Sequence, residues 1–217
     1  MNKEEIINNT IVFVKLKLQG DSSGHDWWHI YRVWKMAIHL AEKEGAMQFE
    51  TQLAALLHDL ADWKLSKDNS DFEIRVVRDW LILQHVENSE VNNICEIIEA
   101  ISFKGAGVST PMGTIEGKVV QDADRLDALG AIGIARAFTY GGSRGHQMYN
   151  PEIKPAIHLS FEEYKNNQST TINHFYEKLL LLKDLMNTET AKQIAKQRHQ
   201  FIEQFLKQFS DEMELKF

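Results

Sequence analysis

Apolar residues recur at intervals of three and four along almost the whole chain, the period of one helix face. Ile6, Ile7, Ile11, Val14 and Leu18 predict a first helix, closed by Gly20. GDSSGHD, from Gly20 to Asp26, is a loop rich in capping residues, and a second helix is expected from about Trp27 to Glu44, stopped by Gly45. A third follows from about Phe49 to Leu60, and then a polar loop, LSKDNSD, from Leu65 to Asp71. Helices are expected from about Asp71 to Gln84 and from Ser89 to Ile101, before the Gly/Pro stretch KGAGVSTPMG (104–113). Thr114 caps a helix from about Ile115 to Ala128, and another spans about Ala131 to Thr139, ending in GGSRG (141–145). The stretch from His146 to Leu159 holds Pro151 and Pro155 and reads as irregular, so 141–159 is the expected lid or active-site loop. Ser160 can cap a long helix to about Met186. The last helix runs from about Glu189 to Phe209, with Ile194, Ile202, Phe205 and Phe209 on a stripe that belongs in a core or at a dimer face. No repeat and no alternation of strands with helices is visible. The expectation is an all-α fold in a single domain over residues 1–217.

Composition supports this and narrows the chemistry. Only 3 prolines occur in 217 residues, which favours helix, because proline costs about 3 kcal/mol in a helix interior. The lone cysteine, Cys95, excludes an intrachain disulfide and a thiolate zinc site, and fits a reducing cytosol. The net charge is −7, so the chain is a poor partner for a nucleic-acid polymer. A phosphorylated small molecule can still bind where the site is locally cationic, and a bound metal provides that. No run approaches the roughly 18 apolar residues of a membrane span, and the N-terminus lacks the apolar core of a secretion signal. A cytoplasmic protein with no membrane partner is expected. Nine histidines remain as the anomaly.

Histidine and aspartate concentrate in three stretches: HDWWHIYRV (25–33), LLHDLAD (56–62) and VVQDADRLDALGAIGIAR (119–136). An ionised Asp59 beside His58 at the end of an apolar helix is costly unless paired or metal-bound. Adjacent helix residues project about 100° apart, so the two meet one ion only at a helix end or kink. The plainer alternative is that Asp59 caps a helix and His58 satisfies a carbonyl. His25 and His29 are spaced i,i+4, with Arg32 on the same side, although His25 also suits a loop or cap. Asp122, Asp124 and Asp127 bracket Arg125 in an apolar helix and need a cation, or else Asp122 is exposed and Asp127 pairs with Arg125 or another helix's arginine. Imidazole and carboxylate donors together suit Mn²⁺, Fe²⁺, Ni²⁺, Co²⁺ or Zn²⁺ more than Ca²⁺, and leave room for water and substrate.

The order H…HD…D on helices resembles the HD-domain superfamily of metal-dependent phosphohydrolases. The matching pieces are His29-Ile30-Tyr31-Arg32-Val33, the pair His58-Asp59, and Ala123-Asp124-Arg125-Leu126. The motif core covers about residues 20–145, with a helical extension over about 160–210. The longer strings HDWWHIYRV and QDADRLDALGAIGIAR resemble a bacterial subgroup similar to nucleoside triphosphate pyrophosphohydrolases. The resemblance implies a compact HD-type helical bundle in which His29, His58, Asp59 and Asp124 hold one divalent ion. Mn²⁺ is the first choice, with Mg²⁺, Co²⁺, Ni²⁺, Fe²⁺ or Zn²⁺ as alternatives. His85 is the only histidine between the HD pair and Asp124, so a second metal is not expected.

The resemblance further implies that Asp62, three residues after Asp59, orients the attacking water; Asp59 and Arg125, the latter as a cation that offsets charge on the phosphate, complete the expected catalytic set. Lys104, Arg144, Arg32, His25, Asp26 and Asp127 are expected to contact substrate, while a cap for Asp26 is an equal alternative. Asp127 is also expected to face the divalent cation. Trp63 is the stacking candidate, and His146 could line the loop beside Arg144. His39, His85, His158, His174 and His199 are assigned no function. The implied reaction is hydrolysis of a phosphate ester or anhydride in a nucleotide, first of all (d)NTP to (d)NMP and pyrophosphate. A nucleotide phosphomonoesterase, a metal and nucleotide-binding sensor without turnover, and a helical scaffold are the alternatives. If the chain self-associates, a homodimer is the expected form.

Overall fold

A computed structural model of the chain describes residues 2–21, 24–61, 70–101, 108–156, 162 and 169–216. Asp62, Trp63, Lys104, His158 and Ser160, all singled out above, lie outside the described residues. Every regular element among the described residues is helical, as the pattern predicts. Two compact units divide the chain: Met1–Phe103 with Ser109–Ala123, and Lys104–Val108 with Asp124–Phe217. No described helix is long and apolar enough to cross a membrane.

The first unit contains α1 (Lys3–Lys17), α2 (Trp27–Glu44), α3 (Gln48–Leu57), a 3-10 turn (His58–Ala61), α4 (Ser70–Leu83), α5 (Asn88–Ala100) and the start of α6 (Ile115–Asp127). Local chemistry sets several of these ends. Asn2 accepts from the Glu5 amide at 2.8 Å and starts α1. Gly45, at φ +74°, takes the left-handed conformation that ends α2. Thr114 accepts from the Gly117 amide at 3.1 Å and caps α6, as expected. The C-terminal half of α3 is apolar on every side, and Leu53, Ala54, Ala55, Leu56 and Leu57 are all fully buried. Such a helix must be central, and α1, α2 and α5 pack around it. Each fully buried leucine contributes about 1.5–3 kcal/mol of apolar burial.

The second unit holds the end of α6, α7 (Gly130–Ser143), α8 (Thr171–Glu177), a 3-10 stretch (Leu179–Leu185) and α9 (Glu189–Met213). The rings of Phe138, Phe175 and Phe205 lie 5.7–6.0 Å apart and form its aromatic centre. The stripe on α9 faces this centre: Ile202 is fully buried, Phe205 is in the cluster and Phe209 meets Tyr149 at 5.6 Å.

Two expectations need correction here, and a third gains detail. Helix α7 does not stop at Thr139 but continues through Gly141 and Gly142 to Ser143, because Gly141 is buried against Thr171. The single long helix up to Met186 does not exist. Thr170 is extended (φ −88°, ψ 161°) and caps a new helix by accepting from the Asn173 amide at 3.1 Å, a local bond that competes with helix continuation. The chain breaks again at Lys178 (φ −140°, ψ −60°) before the 3-10 stretch. Finally, the described part of the expected lid is fastened to α8. The carbonyls of Gln147 and Met148 accept from the Thr171 and Ile172 amides at 2.9 and 3.0 Å. Asn173 donates to the Ile153 carbonyl at 2.8 Å, and Glu177 accepts from the Ala156 amide at 3.1 Å.

Candidate metal centre

The site begins at the entry to α2. Asp26 accepts from the His29 amide at 3.0 Å, so its carboxylate is the helix cap. That cap places His25 just before the helix and His29 in its first turn. Helix α3 ends at Leu57, and the chain tightens into the 3-10 turn at His58. This is the helix end that the adjacent His58-Asp59 pair requires if both are to point to one place.

The Asp59 carboxylate lies among three imidazoles. Its Oδ2 is 2.9 Å from His25 Nδ1 and 3.2 Å from His29 Nε2, and its Oδ1 is 3.4 Å from His58 Nε2. The His29 ring meets the His25 ring edge-on at 5.5 Å and the His58 ring at 5.3 Å. Donor atoms of His25, His29 and Asp59 lie within 4.8 Å of one another. His29 is fully buried, and His58 and Asp59 are each only 3% exposed.

His58 Nδ1 is 2.9 Å from the Ala55 carbonyl, an acceptor only, so Nδ1 carries the hydrogen. Nε2 is then the atom turned toward Asp59, and anchoring one ring nitrogen on a carbonyl so that the other faces the site is how metal-binding histidines are oriented. The carbonyl-satisfying and metal-facing readings of His58 are therefore compatible. Burial pushes the Asp59 carboxyl up, but the charges of His58, His25 and His29 and the His25 hydrogen bond outweigh it and hold the group well below the usual carboxylate range. A buried, ionised carboxylate ringed by imidazole nitrogens is a donor set that fits a borderline divalent cation.

The remaining expected residues are more scattered in role. Asp124 is partly buried on α6 and opens the second unit, directly after Ala123 in an unbroken helix. Arg125 is buried, and its guanidinium donates to the Leu185 carbonyl. Asp127 is 4% exposed and pairs with Arg136 at 3.0 Å, which realises the ion-pair alternative. Asp122 is fully buried rather than exposed. Arg32 is partly buried on α2. Arg144 and His146 are exposed, with the Arg144 guanidinium 5.4 Å from the centre of the Tyr140 ring. The sequence reading missed the His25 bond to Asp59 and two arginines, Arg136 and Arg198. Arg198 donates to the Leu126 carbonyl at 2.6 Å. Nothing local marks these contacts, although three acids within six residues of α6 signal that cations must approach.

Comparison with known proteins places the chain in a family. The HD domain profile matches residues 27–129. The Bacillus subtilis protein YpgQ is 41% identical over 203 residues, covering 93% of this chain and 90% of that protein. A structure of YpgQ in complex with ADP superposes with a TM-score of 0.75 at 37% identity, over 95% of this chain and 97% of the other. A Lactobacillus plantarum structure gives a TM-score of 0.90 at 40% identity, over 99% and 100% of the two chains. A Bacillus thuringiensis structure described as an HD-superfamily hydrolase gives 0.75 at 50% identity, over 98% and 99%. The imidazole-ringed Asp59, the H…HD…D order and these likenesses lead to one conclusion: the chain belongs to the HD superfamily, among hydrolases.

Proposed function

We propose that this chain is a metal-dependent phosphohydrolase acting on nucleotides, most specifically one that cleaves (d)NTP to (d)NMP and pyrophosphate. The observation that carries the reading is the buried Asp59 carboxylate with three imidazoles against it. The ADP bound to YpgQ supports a nucleotide as ligand. In this reading His29, His58, Asp59 and Asp124 hold one divalent cation, Mn²⁺ first. When bound, such an ion supplies Lewis acidity toward phosphoryl oxygens and water.

The chain's own residues supply the rest. Asp62 holds the attacking water and accepts its proton as the elements of water are added across the anhydride. Cationic groups aimed at the phosphates offset the charge that grows on the bridging oxygen as its bond breaks. Lys104, Arg144, Arg32 and Arg125 are assigned that task. His25, which meets Asp59 through Nδ1 at 2.9 Å, is also assigned to the substrate side of the site. Asp26, which caps α2, and Asp127, which pairs with Arg136, are the acidic residues assigned to the substrate side. The setting is the cytosol, and the assembly is a homodimer if the protein self-associates.

Product analysis of Mn²⁺ reactions with a panel of ribo- and deoxynucleoside triphosphates tests the reading. Release of pyrophosphate and a nucleoside monophosphate is expected. Orthophosphate with a nucleoside diphosphate would place the cut at the terminal anhydride instead, and a free nucleoside released from a monophosphate substrate would select a phosphomonoesterase. Nucleotide binding without turnover under Mn²⁺, Co²⁺ and Mg²⁺ would select a sensor and overturn the enzyme.

A further inference from the structure

The end of α6 is held by a device that lies far away in sequence. A helix leaves its last carbonyls without intrahelical partners. Here the Leu126 carbonyl accepts from the Leu129 amide at 3.1 Å and from Arg198 Nη1, on α9, at 2.6 Å. The aliphatic stem of Arg198 lies against Gly130, where a side chain would come within 3.2 Å of Cγ and 3.3 Å of Cβ. Gly130 also sits at φ +73°, which favours glycine, so the turn after α6 is shaped to admit this arginine.

Charge works in the same direction. Asp127 is buried at the negative end of the helix dipole, an unfavourable place for a carboxylate. It also lies three residues after Asp124, so the two can share a face and compete for one cation. Arg136 meets Asp127 at 3.0 Å, and the Asp127 and Arg198 charges attract. The two arginines thus remove Asp127 from competition and fix the turn that carries Asp124. Both lie beyond residue 129, where the HD domain match ends.

We propose that Arg198, by clamping the C-terminal turn of α6 through the Leu126 carbonyl, is a positioning residue for Asp124 as a metal ligand. The proposal rests on the metal centre described above. It gives the C-terminal helices a task in metal binding that the HD motif does not contain.

The test measures Mn²⁺ affinity of the full-length protein, by electron paramagnetic resonance of free Mn²⁺, with thermal melting of the metal-free protein alongside. Arg198→Met keeps the stem and removes the guanidinium. It is expected to weaken Mn²⁺ binding about 10- to 100-fold, as loss of an outer-shell partner does, while melting falls only modestly. Arg198→Lys is expected to lie between this variant and wild type. Arg198→Met with wild-type Mn²⁺ affinity overturns the proposal, because a purely structural arginine would move melting alone. If Arg198→Met does not fold, Arg198→Gln decides in the same way. Asp124→Ala with unchanged Mn²⁺ affinity overturns the proposal while leaving the centre around Asp59 intact. A wild-type protein that binds no Mn²⁺ overturns the metal reading itself and this proposal with it.

Discussion

Helix α7 offers the same substitution with opposite expected signs. A methyl group added at Gly142 meets nothing within 4 Å. Added at Gly133, it would lie 2.2 Å from the Ala128 carbonyl oxygen and 2.3 Å from its carbon, where ordinary contacts are about 3.5–4.0 Å. Replacing glycine by alanine inside a helix relieves about 0.5–1 kcal/mol of chain entropy, and Gly142→Ala keeps that gain. At Gly133 the gain is outweighed by overpacking of about 1–3 kcal/mol. The upper part of that range applies, because the obstacle is backbone and cannot rotate away. One kcal/mol moves Tm by about 2–4 °C in a protein of this size. Gly142→Ala is therefore expected to melt about 1–4 °C higher, and Gly133→Ala about 4–8 °C lower. Ala128 joins α6 to α7, so Gly133→Ala is also expected to weaken Mn²⁺ binding while Gly142→Ala leaves it unchanged. Urea and thermal unfolding read the first effect. A Gly133→Ala variant as stable as Gly142→Ala would refute the packing argument.

Two further outcomes follow from contacts in the first unit. Glu50 is buried on α3, and its carboxyl is raised by burial first and then by Glu116 and Glu90, with Asn93 and Lys3 opposing. A folded pKa above the unfolded one means stability that is present at low pH and lost as pH rises through the raised value. Glu50→Gln is thus expected to raise Tm at pH 7–8, with the gain shrinking toward pH 4, and a shift equal at both would contradict this. His25→Ala removes the 2.9 Å bond to Asp59 and is expected to weaken Mn²⁺ binding about tenfold by titration, with unchanged affinity counting against His25 as an orienting group.

Much of this was legible because the deciding signals are local. Asp26 and Gly45 bracket α2, and the structure places that helix at Trp27–Glu44, as the sequence predicts. The adjacent His58-Asp59 pair demanded a helix end, and the 3-10 turn provides it. The break at Thr170 was hidden because the surrounding residues keep a helical period, and only the threonine's own bond to the Asn173 amide shows where a new helix starts. The extension of α7 through two glycines was hidden for another reason: a disfavoured residue is tolerated where close packing needs it, as Gly141 does beside Thr171. Arg136 and Arg198 were invisible because their partners come from other helices. The chain states which acids need an answer, but the answering cation is set by tertiary packing.

The central claim is that Asp59 and its imidazoles form a metal centre. Titration of the purified, metal-free chain with Mn²⁺, beside Asp59→Ala, tests it most directly. The account predicts one tightly bound ion per chain in the wild type and none in a folded Asp59→Ala variant. Equal Mn²⁺ binding by the two proteins would contradict it.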